Sequence, residues 1–128
     1  MYQIYHQELS NKLLGMAFTV HNILGGGLLE SAYEEAFCVE LKHAGIFFER
    51  QKIYSLVYKG EYIGGYIADI VVANAVILEL KSVAKLNEVM DAQLINYLKL
   101  SKLTVGYLFN FHGIKVEWKR LVNTKGSG

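Results

Sequence analysis

Between Tyr62 and Leu80 runs the most apolar stretch of the chain, and Asp69 and Glu79 are the only charged side chains in it. Such a run leaves few structural options. It approaches the length of a bilayer span, yet a carboxylate held near a membrane midplane costs about 3 kcal/mol. The Gly64-Gly65 pair and the density of Ile and Val favour extended structure over a helix. The stretch therefore reads as two strands of a soluble protein, Tyr62–Val72 and Val76–Val83, joined at Ala73-Asn74-Ala75.

Upstream the period is helical. Ile4, Leu13, Leu14, Ala17, Phe18, His21 and Leu24 recur at helical spacing from Tyr2 to Leu24. Gly25-Gly26-Gly27 ends that helix, because three glycines forfeit too much backbone entropy to continue it. Glu30–His43 reads as a second amphipathic helix, with Tyr33, Phe37, Leu41 and Ala44 as its buried stripe and Gly45 as its C-terminal cap. Ile46–Tyr58 reads as extended, and Lys59-Gly60-Glu61 as a turn. Leu86–Leu100 returns to helical spacing through Val89, Leu94, Tyr97 and Leu98. Two last strands, Val105–Phe111 and Lys115–Leu121, are joined at His112-Gly113.

The order helix, helix, three strands, helix, two strands predicts an α/β fold in a single domain over residues 1–122. Residues 123–128 read as a flexible tail whose Gly-Ser-Gly ending has the composition of an added linker. Proline is absent, so the turns rest on Gly and Asn.

A chain of 128 residues is long enough to bury a core without staples. Its 52% hydrophobic content suits a well-covered sheet, or a surface hidden by a second copy or a larger partner. A net charge of +1 carries no strong nucleic-acid footprint; any such contact would come from the scattered Lys85, Lys99, Lys102, Lys115, Lys119 and Arg120, with Tyr97 and Tyr107 to stack bases. Cys38 is alone, which excludes an internal disulfide and a thiolate zinc site. That lone cysteine makes a reducing, cytoplasmic setting the simplest inference, and Met1–Ser10 does not read as a secretory leader. The histidines at 6, 21, 43 and 112 lack metal spacing, and His21 on the apolar stripe reads as a satisfied core residue. The three glycines follow a helix and lack the Lys-Ser/Thr ending of a phosphate loop.

Asp69 and Glu79 remain to be explained. A carboxylate in an apolar strand is costly unless paired, and two close together resist each other's ionisation. A divalent cation such as Mg²⁺ or Mn²⁺ removes both costs. Register decides whether they meet: a three-residue loop at Ala73-Asn74-Ala75 sets Val72 against Val76 and Asp69 against Glu79, on one face and about 5 Å apart at Cβ. A two-residue loop would send them to opposite faces. Lys81 points to the same side as Glu79, and its ammonium could hold an attacking water or steady a pentacovalent phosphate. On residues alone, a structural ion pair between Lys81 and either carboxylate competes with this reading.

Asp69 followed by Glu79-Leu80-Lys81 resembles the Asp…(Asp/Glu)-x-Lys signature of the PD-(D/E)xK nuclease superfamily, with Ala68 where a proline often precedes the Asp. Gly27-Leu28-Leu29-Glu30-Ser31-Ala32-Tyr33 resembles the Gly-x-x-Glu-x-x-Tyr motif of the GxxExxY family, and Gln93-Leu94-Ile95-Asn96-Tyr97 the Gln-x-x-x-Tyr motif of exonuclease-like members. The resemblance implies a restriction-endonuclease-like mixed central sheet flanked by helices. It implies that Asp69, Glu79 and the Leu80 carbonyl ligate the metal, that Glu30 approaches the same centre, and that Gln93 and Tyr97 face the site or the substrate backbone. Taken singly, Glu30 also reads as a first-turn acid at its helix N-terminus and Tyr97 as a core aromatic. Two functions follow: a metal-dependent phosphodiesterase acting on DNA or RNA, or a binding and assembly module that keeps the nuclease fold without meaningful catalysis.

Overall fold

The computed structural model of the protein describes residues 5–124. Helices α1 (Gln7–Leu24) and α2 (Glu30–His43) precede strands β1 (Phe48–Tyr58), β2 (Glu61–Val72) and β3 (Val76–Lys81). Helix α3 (Glu88–Ser101) then leads to β4 (Val105–Asn110) and β5 (Glu117–Val122). The five strands lie in sequence order, and every neighbouring pair is antiparallel except β3–β4, which α3 connects as a parallel crossover. This is the mixed, helix-flanked α/β sheet expected from the sequence.

The period of two sorts the apolar run between two cores. Ile70, Val72, Val76, Leu78 and Leu80 pack with Leu13, Ala17, Tyr33, Phe37 and Leu41 of α1 and α2. Val71 and Ile77 pack with Leu94, Tyr97 and Leu98 of α3 on the other face, and Ala68 joins them there although it shares the parity of Ile70 and Val72. β4 is buried along its whole length and β3 as far as Leu80. A parallel pair covered on both faces reads as a continuous apolar run for this reason. No helix among the described residues is long and apolar enough to cross a membrane.

Helix α1 stops at Leu24, and Gly25, at φ +75°, donates its N–H to His21 O. Gly45 takes the left-handed conformation after α2, and the Ile46 N–H reaches Leu41 O, a C-terminal cap as predicted. His21 is buried, with Nε2 2.8 Å from Gly113 O. Cys38 is buried against the core.

Four predicted stripe positions differ. Phe18 is 42% exposed because it lies off the line that α1 turns inward through Leu13, Ala17, Val20 and His21, and Leu24, on that line but the last residue of the helix, is 38% exposed. Ala44 is exposed just past the last helical residue, and Val89 lies in the first turn of α3, facing solvent. The predicted start of α1 at Tyr2, with Ile4, lies outside the described residues. Asn123, assigned to the tail, donates its N–H to Thr104 O at 2.8 Å, and residues 125–128 lie outside the described residues.

Candidate metal centre

The β2–β3 hairpin sets the parity of the site. Val72 pairs with Val76 across Ala73-Asn74-Ala75, and Val72 O accepts the Ala75 N–H at 2.9 Å. Ala73 and Asn74 both sit at positive φ, 53° and 52°. The ladder continues to Ile70 and Leu78 and ends there, so the next step sets Asp69 beside Glu79.

Each carboxylate then receives a main-chain N–H that the sheet has left free. β1 and β2 pair at Arg50↔Ile70 and at Lys52↔Ala68, but the step between them is missing, and the Asp69 N–H donates to Glu79 Oε2 at 2.9 Å. With the β2–β3 ladder ended at Leu78, the Leu80 N–H donates to Asp69 Oδ2 at 2.8 Å. The two acids are thus held by reciprocal bonds to each other's strand.

Burial makes this pair expensive when ionised. Glu79 is 4% exposed, and its carboxyl is pushed up to about 8, first by desolvation and then by the charge of Asp69. The half-buried Asp69 is raised too, by desolvation first, while the Leu80 N–H works against the rise. Lys81 lowers both and Glu30 raises both.

Lys81 makes no ion pair within 4.0 Å among the described residues, so the structural pairing that competed for its ammonium is not formed. Its main-chain carbonyl accepts the Phe111 N–H, fixing the end of β3. Glu30 opens α2 with its side chain exposed, on a loop that is tied at three points. The buried Tyr33 hydroxyl donates to Gly25 O at 2.7 Å and accepts the Leu28 N–H at 3.0 Å, and the Ser82 hydroxyl donates to Leu28 O. Tyr33 therefore pins the glycine loop whose far end carries Glu30.

On α3, Tyr97 is 7% exposed and meets Tyr66 edge-on at 5.3 Å. Its hydroxyl is pushed up to about 12, by burial first and then by Glu79 and Asp69. Gln93 lies one turn earlier, exposed, with no side-chain hydrogen bond among the described residues linking it to the acidic pair. Tyr107, named for base stacking, is instead core: it is buried and stacks on Phe109. Two of the cations named for nucleic acid are engaged, Lys119 with Asp91 and Arg120 with Tyr5 O.

The donor set suits a hard ion that keeps several waters. Among the described residues no three His, Cys, Asp or Glu side chains converge as ligands, so a closed zinc-type cage does not fit. Two adjacent carboxylates are oxygen donors of the kind that a hard divalent cation takes.

Three residues escaped the sequence reading. Gln51, opposite Asp69 at φ +49°, donates through Nε2 to Glu34 Oε1 at 2.7 Å, and Arg50 holds Glu34 Oε2 through Nη2 at 2.8 Å. Gln has no marked preference for positive φ, so nothing local signals the kink.

A family model described as the PD-(D/E)XK nuclease superfamily matches residues 7–121. No curated protein and no solved structure matches the chain.

Proposed function

Because the chain belongs to the PD-(D/E)XK nuclease superfamily, we propose that it is a metal-dependent phosphodiesterase that hydrolyses DNA or RNA. The observation that carries the proposal is the reciprocal bonding of Asp69 and Glu79, which holds two buried carboxylates together with no cation of the described residues paired to either. Asp69, Glu79 and the Leu80 carbonyl would hold Mg²⁺ or Mn²⁺, which supplies Lewis acidity and neutralises the pair.

The chain's own groups do the rest. The unpaired Lys81 ammonium orients the attacking water and stabilises the charge that grows on phosphorus. Glu30, on its tied loop, approaches from the start of α2. Tyr97 keeps its proton at any ordinary pH and so acts as an O–H donor, and Gln93 contacts the substrate backbone from the same face of α3. The finer placement in the GxxExxY family rests on Gly27, Glu30 and Tyr33; in its support, Tyr33 ties the loop and Gly27 lies within it at φ +86°.

Incubation with single- and double-stranded DNA and RNA, with Mg²⁺ or Mn²⁺, tests the proposal. Cleavage that Asp69→Ala and Lys81→Ala abolish is expected; equal cleavage by wild type and variants, or none at all, sinks it. One observation favours the binding and assembly reading: Ile53, Val57, Tyr58, Tyr62, Ile63 and Ile67 are all at least half exposed on β1 and β2. Calorimetry separates the two, since absence of Mn²⁺ binding at millimolar concentration favours the module, and light scattering reports whether a homodimer forms.

A further inference from the structure

We infer that Gln51 is a positioning residue for the acidic pair, because its left-handed backbone, clamped to α2, withdraws β1 from Asp69 and turns the Asp69 N–H onto Glu79. The inference concerns the chain's own geometry; only its metal arm rests on the function proposed above.

Three observations converge on Gln51. The β1–β2 register runs without a gap from Phe48↔Val72 to Arg50↔Ile70 and resumes at Lys52↔Ala68, so Gln51 and Asp69 are the one step left out of that regular stretch. Gln51 has φ +49°, a conformation that a side-chain-bearing residue avoids in a strand. Its carboxamide is tied across the sequence to Glu34 of α2, whose second oxygen takes two bonds from the neighbouring Arg50, Nε at 3.2 Å and Nη2 at 2.8 Å. Arg50 Nη2 also reaches Glu35 Oε1 at 2.8 Å. Two successive residues of β1 are therefore fastened to one turn of α2, opposite Asp69.

The consequence is a donor set free for the site. In an unbroken antiparallel ladder the Asp69 N–H would be taken by a β1 carbonyl. With β1 kinked away it donates to the Glu79 carboxylate, which fixes one oxygen of Glu79 and leaves the other available. An extended residue at position 51 would restore the ladder and release Glu79.

Amide spectra of the labelled full chain test this. Gln51→Gly keeps the positive φ and loses only the side chain, whereas the β-branched Gln51→Val favours the extended form. Each is compared with and without Glu79→Gln. In wild type and Gln51→Gly the Asp69 amide resonance is expected to move when Glu79 is replaced, and in Gln51→Val it is expected not to respond. Mn²⁺ affinity by calorimetry should fall about 10- to 100-fold in Gln51→Val and be largely kept in Gln51→Gly, as for partners that orient metal ligands. An Asp69 resonance in Gln51→Val that still responds to Glu79→Gln as in wild type overturns the inference, as does unchanged Mn²⁺ affinity. If Gln51→Val does not fold, the double variant Glu34→Ala, Glu35→Ala, which removes every one of these bonds from α2 and leaves the β1 sequence unchanged, is read by the same two criteria. A wild type that binds no Mn²⁺ defeats the metal reading and leaves the amide comparison to judge Gln51 by itself.

Discussion

Replacing Glu79 by Gln removes the negative charge that the folded chain holds least comfortably, and the metal-free protein should become more stable at high pH as a result. The folded carboxyl lies at about 8 and its ordinary value is 4.5, so the native state binds this proton more tightly than the unfolded state does. The stability from that tighter binding is complete below pH 4.5 and is lost as pH climbs through 8. At about 1.4 kcal/mol per decade, ionised Glu79 costs the native state on the order of 5 kcal/mol by pH 9. The Glu79→Gln variant carries no such cost. Its carboxamide keeps an oxygen for the Asp69 N–H but leaves an amino group in need of a partner, an offset of about 1–2 kcal/mol. The net expectation is Glu79→Gln more stable than wild type by about 3 kcal/mol at pH 9 in chelator, a rise in Tm of roughly 10 °C, and no gain at pH 4. Urea titrations followed by far-ultraviolet circular dichroism across this range measure it. Mn²⁺ should then restore the wild type at pH 8 and leave the variant unmoved. Stability–pH curves that run parallel for the two proteins would refute the reasoning, because Glu79 would then carry no penalty for ionising.

Lys81→Ala should cut cleavage by about 10²- to 10⁴-fold while changing Mn²⁺ affinity only a few-fold, since in the proposed function the ammonium acts on the water and the phosphate; single-turnover rates beside calorimetry check both halves. Tyr33→Phe should cost about 1–3 kcal/mol in urea denaturation, because the Leu28 N–H loses its acceptor and Gly25 O its donor, and proteolysis within residues 25–29 should accelerate. Gly26→Ala should destabilise by about 2 kcal/mol or more, its Cβ driven against the backbone oxygens of Gly113 and His112, whereas Gly15→Ala, with open space around it, should be neutral or stabilising.

The parts of the site that could be read from sequence are those whose geometry is local. The hairpin loop is three residues long, Asn74 accepts a left-handed conformation, and the period of two then dictates that Asp69 and Glu79 share a face. The same short-range logic found the glycine stop after α1 and the cap at Gly45. It failed at Phe18 and Ala44, where an apolar residue at nearly the right helical angle lies beside the stripe or one residue past the last turn. It failed at Tyr107 for the opposite reason, since a polar-tipped aromatic on a strand buried along its whole length shows the same local pattern as one at a surface.

What could not be read at all is the way the sheet releases two N–H groups to the carboxylates. One release needs the β2–β3 ladder to end at Leu78, and the other needs β1 to step over Asp69. The second depends on α2 reaching back to β1 through Glu34, seventeen residues from Gln51 in sequence. No periodicity or turn preference encodes a contact of that separation. Parity brings the two acids together, but parity alone would leave them as two repelling charges in an apolar sheet. The bonds from Asp69 N–H and Leu80 N–H hold each acid where the other's strand needs an acceptor, which is the preorganisation that the proposed metal site would use. Loss of the α2 clamp should therefore disturb the site before it disturbs the fold, because β1 keeps its pairing on either side of the missing step.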